Sequence, residues 1–315
     1  MFLALAVVVA SGVFTWVHRT TSQEYGPAAL EPLMRGEGWT PFQYRILVPH
    51  LVRALRDGAH LPLQPQSIAL GIEMLAIVAL FYAQRALTRA LVGERRLVIP
   101  SCFALFGVLS FQYLQSPRWW YVYDIPSVLL FTLGVLLIHR ARWGWLAICI
   151  ALGELNREVI CLLVPLLLLT WYDRLRPLKL LSVAAGLSLV WTGLRLLQVS
   201  MFPDTPGGGQ YDAQSLVRNL NLLNDPESWP KLLACFGGLW LVVLAGWRYI
   251  RPSFVRRALW IVPVHFVLVF RFGAFAEVRV YGEVAPLVLL GATCALDGWI
   301  CVRREAQRAA LRAAT

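Results

Sequence analysis

The segment Glu154-Leu155-Asn156-Arg157-Glu158 sets three ionisable groups and an amide in an almost unbroken apolar run from Gly144 to Tyr172. Each centrally placed charge at membrane depth costs ~2.5–3.5 kcal/mol on insertion scales. A chain that retains such a cluster pairs the charges, turns them toward a wet cavity, or uses them. Further charges stand in other connections: Glu24, Glu31, Glu37 and Arg45; Arg118 and Asp124; Arg271, Glu277, Arg279 and Glu283. A carboxylate within hydrogen-bond reach of a hydroxyl serves as general base. Arginines grip phosphate oxygens in pairs and stabilise charge on a departing phosphate. The aromatic run Trp119-Trp120-Tyr121-Val122-Tyr123 offers flat faces for a sugar ring or an interfacial lipid.

Other chemistries lack their residues. The five histidines (His18, His50, His60, His139 and His265) are scattered without an HExxH or zinc spacing, and there is no Ser/His/Asp set. The six cysteines fall in or beside apolar segments with no CxxC pattern, so they read as small apolar fillers. Gly207-Gly208-Gly209 lacks the Lys-Ser/Thr of a phosphate-binding loop. A divalent cation held by Asp124 and a first-loop Glu is the one metal reading.

Each candidate also has a structural reading. Arg157 and Glu158 could pair with each other to lock a turn, and Glu277 could pair with Arg279. Asp124 precedes Ile125-Pro126-Ser127 and could cap a helix there. Glu24 could be an ordinary loop acid. Glu73 and Arg195 could be polar residues satisfied by packing. The aromatic run reads as an interfacial belt rather than a ligand platform.

The elements that must position these groups are apolar helices. At 315 residues, 58% hydrophobic and 15% charged, the composition excludes a soluble globular domain. It points to an all-α, polytopic transmembrane bundle, a single domain over 1–302. Windows near the ~20-residue spanning length fall at 2–17, 67–90, 97–114, 125–138, 179–200, 231–247, 258–270 and 284–301. That predicts about eight spans, the first uncleaved. Arginines cluster at 85–96, 140–142, 174–179, 248–257 and 303–312. Such clusters mark the cytoplasmic side. Both termini are then cytoplasmic, with 303–315 a basic tail, and the outer connections are 18–65, 115–124, 201–230 and 271–283. The net charge of +11 is accounted for by topology and anionic lipid, so no nucleic-acid partner is expected.

The split run has basic residues at both flanks, so both ends belong on one side. Its arms, Trp145–Gly153 and Val159–Trp171, are each too short to span ~30 Å at ~1.5 Å per residue. They predict a re-entrant pair of short helices with Asn156, Arg157 and Glu158 at its tip. In the first outer loop, Pro27–Arg35 and Tyr44–Arg56 predict two interfacial helices, the second with an apolar stripe and a basic face. The Gly-rich outer loop 201–230 predicts one helical piece near Gln214–Leu223.

Four short motifs carry a resemblance: Pro41-Phe42-Gln43-Tyr44-Arg45-Ile46-Leu47-Val48-Pro49, Tyr123-Asp124-Ile125-Pro126, Leu155-Asn156-Arg157-Glu158, and Glu277-Val278-Arg279 ahead of Pro286. With the architecture, they resemble bacterial GT-C-type integral-membrane glycosyltransferases. The resemblance implies an inner-membrane enzyme that takes a sugar from a polyprenyl-phosphate carrier and passes it, with inversion, to an acceptor at the outer face. It implies Glu24 and Asp124 as the catalytic acids. Arg45, Asn156, Arg157, Glu158, Glu277 and Arg279 would line the carrier and phosphate site. Residues 18–40 contain no Asp, where such enzymes commonly carry one. Two alternatives stand beside it: a non-catalytic subunit on the same scaffold that binds lipid or a membrane-protein partner, and a flippase for a lipid carrier.

Overall fold

The computed structural model describes residues 2–115, 119–203 and 213–314, and the described chain is almost wholly helical. Arg118, Asp204, the triple glycine 207–209 and Asp212 lie outside the described residues. In chain order the elements are α1 Phe2–Thr21, β1 Gln23–Glu24, α2 Leu30–Arg35, α3 Leu47–Arg53, α4 Pro65–Leu91, α5 Val98–Tyr113 and β2 Trp119–Trp120. There follow α6 Asp124–His139, α7 Trp143–Asn156, α8 Leu163–Trp171, α9 Pro177–Met201, α10 Ala213–Leu223, α11 Ser228–Leu233 and α12 Leu239–Ala245. The chain closes with α13 Ser253–Ala258, α14 Ile261–Phe272 and α15 Ala285–Ala314.

Six helical segments are long and apolar enough to cross a membrane: Phe2–Thr21, Pro65–Leu91, Arg95–Tyr113, Pro177–Met201, Ser253–Phe272 and Val278–Ala313. Six such helices fit a multi-pass membrane protein. The windows predicted at 125–138 and 231–247 are carried by shorter helices. The second is interrupted where Phe236, Gly237 and Gly238 all take positive φ, which breaks the run before α12. Glycines supply two of those three left-handed positions without a Cβ penalty.

The core is built around α6, whose buried Ile125, Val128, Phe131 and Val135 meet Leu80 of α4, Leu163 and Leu166 of α8 and Leu290 of α15. A second apolar cluster sits at one end of the bundle. There Leu30, Leu33, Val48 and Val52 of the first connection pack with Trp120, Tyr121 and Tyr123. The predicted helices over Pro27–Arg35 and Tyr44–Arg56 appear as α2 and α3. β1 pairs with β2 in parallel, Gln23 opposite Trp119 and Glu24 opposite Trp120, and ties the two connections together.

The split run folds back on itself. Trp143 at the start of α7 and Trp171 at the end of α8 meet edge to face, with centroids 5.2 Å apart, so the two arms return to the same level. The arms approach closely because glycine stands at the crossings. A Cβ on Gly153 would overlap Ile160 of the second arm, and one on Gly134 of α6 would overlap Leu163. The turn between them carries Arg157 in extended conformation.

Candidate functional site

At the end of the bundle where α6 begins and α7 ends, charges from five parts of the chain converge. Asp124 opens α6 and is fully buried, yet its carboxylate caps no helix. Arg157 Nη1 donates to Asp124 Oδ1 at 3.2 Å and to Glu283 Oε1 at 2.7 Å. Arg279 Nη1 donates to Asp124 Oδ2 at 3.1 Å, and Arg279 Nε to Glu277 Oε1 at 2.7 Å. Ser127 Oγ adds a hydrogen bond to Glu283 Oε1 at 3.0 Å. Asp124 thus bridges two guanidinium groups, and each guanidinium reaches a second carboxylate. Asn156 fixes the turn by donating from Nδ2 to the Tyr123 carbonyl at 2.9 Å.

Beside this network lies a second pair of ion pairs. Arg45 forks onto Glu158, with Nη2–Oε1 2.9 Å and Nε–Oε2 3.4 Å. Arg195 of α9 lies 3.5 Å from the carboxylate of Glu154. The structural pairing of Arg157 with Glu158 does not occur; the neighbours in sequence point to different partners. The pairing of Glu277 with Arg279 does occur, and Arg279 is shared with Asp124.

The aromatic run is built into the site rather than spread as a belt. The Arg279 guanidinium carbon lies 3.8 Å from the Tyr121 ring centroid, and that of Arg45 4.6 Å from Tyr123. Stacking of this kind holds a guanidinium flat while leaving its edges free for oxygen acceptors. Burial pushes the Tyr121 and Tyr123 phenols well above their ordinary range, so both remain neutral donors at physiological pH. Glu73, read from sequence as a packed polar residue, has such a role. It accepts from Trp120 Nε1 at 2.7 Å and bonds His18 Nδ1 at 2.8 Å, pinning β2 to α1 and α4.

These groups surround a cavity of about 1660 Å³. Arg45, Arg157, Arg195 and Arg279 line it with Glu158 and Glu277, and Arg218 and Lys231 face it from the segment that includes α10 and α11. Tyr25, Phe42, Trp119, Tyr121 and Trp191 supply aromatic wall, and Val159, Leu162, Val217, Leu268 and Phe272 supply apolar wall. A volume above the ~300–1,000 Å³ of ordinary ligand pockets suits a large amphiphile. Six cationic side chains against a few acids favour an anionic one.

Of the residues singled out in sequence, Arg45, Arg157, Glu158, Glu277 and Arg279 come together at this cavity. Asp124 and Asn156 stand behind its wall. Glu24 is not among the described residues that line it; on β1, partly exposed, it pairs with Arg19 at 3.5 Å. Glu31 and Glu37 flank Arg35 at the surface. Among the described residues no three His, Cys, Asp or Glu side chains gather as a metal seat. A cation at Asp124 would have to displace two guanidinium groups.

Sequence reasoning took Glu154 only as part of the charged cluster and Arg195 as a polar residue satisfied by packing, and it missed Trp191. One signal was present: Trp191, Arg195 and Gln198 recur at helical spacing and share one face of α9. Comparison with family models, with curated proteins and with solved structures found no match.

Proposed function

We propose that the chain is a membrane glycosyltransferase-like protein of the GT-C type, which takes a sugar from a polyprenyl-phosphate carrier at the outer face of a bacterial inner membrane. In this reading α6 and the interrupted segment 231–247 complete eight crossings, and the α7–α8 pair is re-entrant. The arginine clusters put both termini in the cytoplasm and the cavity on the outer side. One observation carries the proposal: five guanidinium groups from five separate segments line a single cavity that also has aromatic and apolar walls.

The chemistry follows from that lining. An acceptor hydroxyl attacks the anomeric carbon opposite the phosphate, the glycosidic C–O bond breaks, and its electron pair leaves on the phosphate. The wall arginines stabilise that developing charge. Asp124, claimed by Arg157 and Arg279, acts by orienting them. The carboxylates on the cavity wall are Glu158, Glu277 and Asp225, so the base is sought there before Glu24. No metal is needed to neutralise the phosphate where guanidinium groups already surround it.

A second reading is favoured by the occupation of Asp124: a non-catalytic relative that holds the lipid carrier, or a membrane-protein partner, without transfer. The test separates them. Protein in nanodiscs is titrated with polyprenyl phosphate, then incubated with a radiolabelled polyprenyl-phosphate sugar and candidate acceptors. Binding with turnover supports the transferase, and binding without turnover supports the carrier-binding relative. Failure to bind polyprenyl phosphate overturns both.

A further inference from the structure

The acids at this end of the molecule are not equivalent. Asp124, Glu158, Glu277 and Glu283 each accept at least one hydrogen bond from an arginine. Glu154 accepts none at either oxygen, although its side chain is almost fully buried. Its one close cation, Arg195, lies at 3.5 Å and is itself drawn over the Tyr44 ring, 4.6 Å from the centroid. Trp191, one helical turn before Arg195, turns its indole N–H toward the same carboxylate without completing a hydrogen bond. Gln198, the third residue on this face, spends its amide nitrogen on the carbonyls of Tyr44 and Glu154 and leaves its oxygen unpartnered.

A buried acceptor and a buried donor left open side by side are costly, on the order of 1–3 kcal/mol each. One group satisfies both at once. A hydroxyl donates to a carboxylate and accepts from an N–H. Trp191 and Arg195 line the cavity, and Glu154, not itself among the lining residues, lies behind them beside Arg195.

We infer that Glu154, Trp191 and Arg195 form a hydroxyl-recognition subsite, which holds the polyhydroxylated group of the ligand while the other arginines hold its phosphate. The inference rests on the carrier reading above and deepens it: the bound lipid is the sugar-bearing form, recognised by its hydroxyls and not by phosphate alone. Glu154 is the acceptor, Trp191 the donor, and Arg195 the cation beside them, 3.5 Å from the Glu154 side chain.

The experiment compares the affinity of the nanodisc-embedded protein for two probes, bare polyprenyl phosphate and polyprenyl phosphate carrying one hexose. The wild type binds the hexose form about tenfold more tightly, as one satisfied buried pair requires. Trp191→Phe keeps the ring and removes only the N–H; with Glu154→Gln it abolishes that preference while affinity for the bare phosphate stays within twofold. Thermal unfolding of both variants confirms that they are folded. Equal wild-type affinity for the two probes overturns the subsite and leaves the phosphate site standing. A Trp191→Phe variant weakened equally toward both probes overturns it too, since the indole would then serve only to pack. No binding of either probe removes the carrier reading and the subsite together.

Discussion

Ion pairs hold both ends of this bundle, and they do different work. At the end opposite the cavity, Arg257 forks onto Asp173, Arg304 reaches Glu94 and Arg251 reaches Glu305, all on exposed or half-exposed side chains. Each ties one helix end to a neighbour, and each partner can return to water when the pair breaks. At the cavity end Asp124 and Glu283 are sealed from solvent, and Arg157 and Arg279 are buried except where they reach the cavity wall. Exposed pairs contribute about 0–1 kcal/mol, whereas removing one partner of a buried pair costs about 3–5 kcal/mol because the other charge is stranded. The same residue types are therefore replaceable stitching at one end and an indivisible unit at the other.

The sharpest way to break that contrast is Asp124→Ala, which takes from Arg157 and Arg279 the buried acid they share. It is expected to destabilise the protein by ~3–5 kcal/mol, read as a large fall in thermal midpoint in detergent. A loss no greater than that of Asp173→Ala would mean that the two ends are alike after all. Next is Glu73→Leu, which frees a buried His18 and Trp120 from their shared acceptor and should cost ~1–3 kcal/mol, measured in the same melt.

Arg195→Gln sharpens the contrast within the cavity end. Arg195 stands beside the buried Glu154, so affinity for polyprenyl phosphate carrying a hexose should fall about tenfold. A variant that melts early but binds normally would reassign Arg195 to packing. The smallest effect is expected at the opposite end. Hydrogen bonds from Arg257 and Arg304 hold the Asp173 and Glu94 carboxyls below their usual range. Their lowered values in the folded state give a contribution that is complete above the ordinary carboxylate range and lost as pH falls from that range through the lower folded values. Acid titration of the thermal midpoint should show this slope in the wild type and a shallower one in Asp173→Asn.

Much of the fold was legible because apolar length and arginine placement are local signals. The basic flanks of the split run implied two arms returning to one level, and Trp143 against Trp171 is that arrangement. The convergence of Arg45, Arg157, Glu158, Glu277 and Arg279 followed from assigning their connections to one side. The pairings were not legible, because partners sit far apart in the chain: Arg45 with Glu158, Arg157 with Glu283. Nor was the burial of the aromatic run, which depends on α2 and α3 folding over it. Glu24 stands apart from that convergence, outside the cavity lining. Its type and loop suited catalysis, but pairing of β1 with β2 sets its register, and a two-residue strand leaves no sequence pattern.

The fold-back of α7 and α8 also bears on how the protein is made. Arg157 emerges 33 residues after Asp124 and 126 before Glu283. The nascent chain thus holds Asp124 before Arg157 is made and Arg45 before Glu158 is made, so both acid–base pairs can close as soon as the α7–α8 turn emerges. Arg279 and Glu283 come last with the closing helix and lock a centre that was already electrically quiet. Reversing the order, with an acid and a base exchanged between Asp124 and Arg157, would keep the final pairing but set it against Glu283 and Arg279 as like charges. The assembly is directional: it is written to be read from the N-terminus.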